Sequence, residues 1–173
     1  MKSAAVGSLL AASALLAGLA AWTPVMAEED AARNAALAAA TQEATGWLAA
    51  LDGHRYADSW SEVAAVIREG RTQDDWARDV GTPREAFGST LMRELKSAEY
   101  STSVRGAPQG RYVTATFLTQ FTNAPPALET VLVKFEDERW RIAGYSIQPA
   151  PKAASPPSAP DKLGAHAQPK AKE

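Results

Sequence analysis

Residues 131–148 read VLVKFEDERWRIAGYSIQ. Apolar and polar side chains alternate on both sides of Asp137-Glu138, the pattern of two antiparallel strands joined by a tight turn. Pairing about that turn sets Phe135 opposite Trp140, Val133 opposite Ile142 and Val131 opposite Gly144, so one face is apolar throughout. The second face carries Glu136 near Arg139, Leu132 near Ala143, and Thr130 near Tyr145. Trp140 therefore belongs to the core side, and Tyr145 to the opposite side. Asp137-Glu138 has no glycine, although a two-residue hairpin turn favours one.

Moving upstream, Tyr112–Thr122 also alternates. Val113, Ala115, Phe117 and Phe121 face one way, and Thr114, Thr116 and Gln120 the other. RGAPQGRY, with Pro108 and Gly110, is a turn, and Glu99–Val104 is the strand before it. Four strands in a row predict an antiparallel meander.

Helical spacing dominates before residue 97. Leu37, Ala40, Thr41, Ala44, Trp47, Leu48 and Leu51 form one stripe of a helix over Ala31–Leu51, stopped by Asp52-Gly53, with Gly53 as a left-handed cap. Tyr56, Trp60, Val63 and Ile67 predict a second helix over His54–Glu69. Thr72 with Asp74 and Asp75 opens a third, whose inner side is Trp76 and Val80 and which Gly81 ends. Thr82-Pro83-Arg84-Glu85 then reads as a capping box starting a fourth helix, with Phe87, Leu91 and Leu95 on its buried face. Helices followed by an antiparallel sheet predict an α+β domain, with the helices packed on one face of a curved four-stranded sheet.

The chain has 173 residues, and both ends are set apart from this domain. An apolar run from Ala4 to Trp22 precedes Val25-Met26-Ala27 and then Glu28-Glu29-Asp30. This is the layout of a secretory signal cleaved after Ala27, which implies an exported, periplasmic or secreted protein without a membrane span once cleaved. From Pro149 to Glu173 the chain is Pro, Ala and Lys with almost no large apolar side chain, the composition of a disordered tail. The domain spans residues 28–148. It carries 13 Lys plus Arg against 18 Asp plus Glu, a net charge of −5. An acidic domain lacks the basic face that nucleic-acid binding needs. Without cysteine there is no disulfide, thiol nucleophile or cysteine-bound zinc.

The run PQGRYVTATFLTQFTNAPPALETVLVKFEDERWRIAGYSIQ, preceded by GWLAALDGHRYADSW, resembles bacterial domain-of-unknown-function family 4019 over about residues 35–148. Trp47, the LDGxxYxxSW turn, Arg93, the GAPxGxY turn, Phe121, Glu129-Thr130 and the closing WRIAGY carry the resemblance. The ending is also similar to cystatin-like or NTF2-like cones. The resemblance implies an exported bacterial protein and brings no catalytic residues with it.

Residue chemistry points to no cofactor, metal site or catalytic set. His54 is the sole histidine of the domain and stands beside a helix cap, so no triad or metal cluster forms around it. The Asp74, Asp75 and Asp79 carboxylates suit a helix start. Trp47, Trp60, Trp76 and Trp140 fall at core positions. Arg93 and Glu129 are expected to form a partly buried pair tying the fourth helix to the sheet. With Tyr112 and Tyr145 they make the candidate ligand-binding set. The expected role is non-enzymatic binding of a small ligand or protein partner; the alternative is a cone enzyme using one carboxylate and one tyrosine.

Overall fold

The computed structural model describes residues 23–151. Most of the expected signal segment and nearly all of the expected tail lie outside that range. The elements are α1 (Thr23–Asp52), a 3₁₀ turn (Asp58–Glu62), α2 (Ala65–Arg68), α3 (Gln73–Phe87), β1 (Thr90–Ser101), β2 (Arg111–Phe121), β3 (Ala127–Glu136) and β4 (Arg139–Pro149). The strands form one antiparallel sheet in the order β1-β2-β3-β4, and the helices cover one of its faces, as the sequence predicts.

That face alternates as expected. Val113, Ala115, Phe117, Val131, Val133, Trp140 and Ile142 are buried against Ala40, Ala44, Trp47, Leu48 and Leu51 of α1. The α1 stop is a Schellman motif: the Arg55 amide donates to Ala50 O at 2.9 Å and the His54 amide to Leu51 O at 3.0 Å. His54, at φ 57°, takes the left-handed position expected of Gly53.

The second helix is interrupted. Val63 and Ala64 are extended, Val63 bridges to Ile142, and the Ala64 amide donates to Ile142 O at 2.8 Å. The segment thereby covers part of the β4 edge, which would otherwise be left open. Tyr56, Trp60, Val63 and Ile67 nevertheless all pack on the core.

The fourth helix does not exist. α3 begins with a capping box between Thr72 and Asp75 and runs through Gly81-Thr82-Pro83 without breaking. A side chain at Gly81 would have to displace Tyr56, because a Cβ would lie 2.9 Å from its ring. Residues 90–101 are a strand, and Leu91 and Leu95 are 65% and 44% exposed rather than buried. Two bulges, between Thr90 and Met92 and between Leu95 and Ser97, interrupt the alternation that would mark a strand. β1 also stops at Ser101, short of the expected Val104.

In the closing hairpin, Phe135 pairs with Trp140 and Val133 with Ile142. Asp137 and Glu138 both take positive φ, 47° and 62°, the backbone of a two-residue turn without its usual glycine. Beyond Val133 a bulge shifts the register, so Val131 pairs with Tyr145 and Thr130 with Ser146. One extra residue moves every later side chain to the other face. Tyr145 therefore joins Trp140 on the core side, with its ring edge-on to Trp47 at 5.1 Å.

Candidate functional site

Four charged side chains from four elements meet beneath the helices. Asp52 closes α1, Arg84 comes from α3, Arg93 from β1, and Glu129 from β3. Glu129 alternates with Ala127, Val131 and Val133, so strand geometry aims it into the core, where it is 0% exposed. Arg84 follows Trp76 and Val80 at four-residue steps on the inner face of α3 and is 3% exposed. The two guanidinium and two carboxylate charges balance.

Every Glu129 lone pair is in use. Arg84 and the Tyr145 hydroxyl donate to Oε1, the latter at 2.7 Å. Arg93 Nε donates to Oε2 at 2.9 Å, and the Thr119 hydroxyl donates to it at 2.5 Å. Arg93 also grips Asp52 through both terminal nitrogens, at 2.7 and 2.9 Å. Arg84 pairs with the same carboxylate, and Thr90 bridges by donating to Asp52 Oδ1 at 2.8 Å while accepting from Arg84 at 2.9 Å. Bidentate, charge-assisted bonds of this kind meet the cost of burying the ions, which unpaired would be several kcal/mol each.

The electrostatics follow from that packing. Burial pushes the Asp52 carboxyl up, but hydrogen bonds from Arg93 and Thr90 and the charges of both arginines outweigh it and hold the group below its ordinary value. Burial lowers Arg93, and Asp52 and Glu129 more than reverse that. Tyr145 is pushed far up, first by burial and then by the Glu129 charge, so its hydroxyl stays protonated and acts as a donor. The Asp52 shift gives a signed expectation. A lowered carboxyl contributes stability above its unfolded value near pH 4, and that contribution is lost as the pH falls through the folded value. Urea melts between pH 6 and pH 3 should show Asp52→Asn losing less stability over that interval than the parent; equal losses would remove Asp52 from the account.

The expected set is brought together only in part. Arg93, Glu129 and Tyr145 meet, and the Arg93–Glu129 pair exists, but it joins two strands because Arg93 lies on β1. Tyr112 does not join them. It alternates with Val113 onto the other face of the sheet, opposite Lys134, and its hydroxyl donates to Pro108 O at 2.7 Å. Sequence reasoning missed Asp52, Arg84, Thr90 and Thr119. The steps Trp76, Val80, Arg84 on one helix face, and Thr119 between Phe117 and Phe121 on one strand face, would have exposed two of them.

There is little space at the cluster. The cavity beside it, lined by Asp52, His54, Tyr56, Arg84 and Thr90 among others, holds about 10 Å³, room for no more than one water. Two larger clefts flank α1 elsewhere. One, of about 410 Å³, lies between its N-terminal half and the β1–β2 end of the sheet, and the other, of about 270 Å³, lies over Glu43, Trp47 and the 3₁₀ turn. Among the described residues no group of three or more His, Cys, Asp or Glu is placed to hold a metal ion. Nor is any helix among them long and apolar enough to cross a membrane.

The chain belongs to the family described as protein of unknown function (DUF4019), whose model matches residues 43–145. No curated protein and no solved structure matches it.

Proposed function

We propose that this DUF4019 protein is an exported, non-enzymatic domain that binds a small ligand or a protein partner in the periplasm. The observation that carries the reading is the contrast between a saturated charge cluster and two open clefts. Glu129, the carboxylate a cone enzyme would use, has all its acceptor sites filled and no substrate-sized space beside it. A general base needs a free lone pair within reach of the proton it takes. The clefts along α1, by contrast, are of ligand size. Helices on one face of a four-stranded sheet suit the cystatin- or NTF2-like cone that the closing sequence resembles.

Export is supported by the apolar run from Ala4 and the Val25-Met26-Ala27 site. Cleavage after Ala27 falls in the exposed beginning of α1, so a chain starting at Glu28 keeps Ala40, Ala44, Trp47, Leu48 and Leu51, the residues that α1 buries. The test is purification from the periplasmic fraction with N-terminal sequencing and mass spectrometry of what comes with it. The expected result is a chain beginning at Glu28 carrying a small molecule or a stoichiometric protein. A membrane-retained full-length chain would overturn export, and a bare protein turning over a substrate would overturn the binding role.

A further inference from the structure

The larger cleft has a chemical bias. It is lined by Glu29, Ala32, Arg33 and Ala36 of α1, by Tyr100 of β1 and Thr102 just beyond it, and by Arg111 of β2. Arg111 is the first residue of β2, and its guanidinium carbon lies over the Phe135 ring, 3.7 Å from the centroid. Phe135 is in turn held edge-on by Trp140 at 5.2 Å. A guanidinium stacked in this way is fixed in orientation while its in-plane N–H edge remains free for a carboxylate or phosphate. Neither Arg33 nor Arg111 has an ion-pair partner among the described residues, whereas Arg84 and Arg93 each pair with both Asp52 and Glu129. Arg68 offers the internal contrast. It too lies over an aromatic ring, that of Trp60, but its Nη2 already donates to Trp60 O and Ser61 O at 2.9 and 2.8 Å.

Resting on the binding reading above, we infer that this cleft is the ligand site, and that it takes a small organic anion. The ligand is a carboxylate or phosphate monoester on a flat apolar body. Arg111 and Arg33 hold the anion, the Tyr100 and Thr102 hydroxyls add hydrogen bonds, and the Ala32–Ala36 wall of α1 contacts the apolar part. Glu29 at the rim disfavours a second negative charge at that end of the ligand.

Backbone-amide NMR titration of the chain from Glu28 onward tests this with three probes of one shape: phenylphosphate, benzoate and phenyltrimethylammonium. Phenylphosphate or benzoate should shift the amides of Tyr100, Thr102 and Arg111, and the ammonium should not. Arg111→Gln should weaken the anion at least tenfold, and Arg68→Gln should leave it unchanged. A preference for phenylphosphate over benzoate would assign a phosphate ligand, and the reverse a carboxylate. The inference is overturned if the cationic probe binds equally, if Arg111→Gln binds as the parent does, or if neither anion shifts the cleft. Shifts confined to Glu43 and Trp47 would overturn this assignment and leave the binding role standing at the other cleft.

Discussion

Glu129→Ala is expected to lower stability by about 3–5 kcal/mol, the cost of leaving buried charges without their partner. The substitution takes one of two carboxylates from Arg84, which is 3% exposed, and one of two from Arg93, leaving Asp52 as the single counter-charge for both. It also deprives Tyr145 and Thr119 of the acceptor for their hydroxyls. A domain of this size has a total stability of about 5–15 kcal/mol, so the variant should be partly unfolded at moderate temperature. Urea denaturation with matched slopes checks this. A loss below about 1 kcal/mol would mean that the cluster opens readily to water, and a catalytic role for Glu129 would have to be reconsidered.

Trp140→Ala is expected to cost about as much, 3–5 kcal/mol, by a different route. Trp140 is 8% exposed, packs edge-on to Phe135, and belongs to the same apolar face as Val133 and Ile142. Truncation leaves a cavity in a core that has no disulfide to support it. It also removes the ring that holds Phe135 under Arg111. Tyr145→Phe should cost less, about 1.5–3 kcal/mol for one hydrogen bond to a charged group, because the ring and its contact with Trp47 remain. Thermal melts of the two variants should rank them in that order. A Trp140→Ala variant that melts like the parent would contradict the hairpin register.

Much of this architecture is legible in the sequence, and the exceptions have identifiable causes. Alternation in 112–122 and 131–142 carries the sheet, because the face toward the helices is buried and the period of two is intact. The reading of the last strand fails after Ile142, where a bulge adds a residue that no alternation rule anticipates, and this misplaces Tyr145. Residues 88–96 mislead more seriously. Leu91 and Leu95 stand four apart as on a helix face, yet both are exposed, and it is Arg93 between them that points inward. Gly81 and Pro83 look like punctuation, but Gly81 makes room for Tyr56, and the buried face formed by Trp76, Val80 and Arg84 carries α3 through.

Half of the charge cluster is legible for the same reasons. Glu129 and Arg93 are visible as charges in apolar surroundings, which implies partners. Asp52 and Arg84 are not, because one reads as a helix stop and the other as part of a helix start, and only the tertiary packing shows that both turn inward. The cluster thus ties α1 and α3 to β1 and β3, and the anchoring of the helical layer on the sheet depends on it.

A double-mutant cycle on Arg84→Ala and Glu129→Ala, read by urea denaturation, tests that role most directly. If the two residues act as one buried unit, the double variant loses less than the sum of the single losses, by about 0.5–3 kcal/mol. Losses that simply add, within about 0.3–0.5 kcal/mol, would show that the two residues stabilise the fold independently and would contradict the anchoring role of the charge cluster.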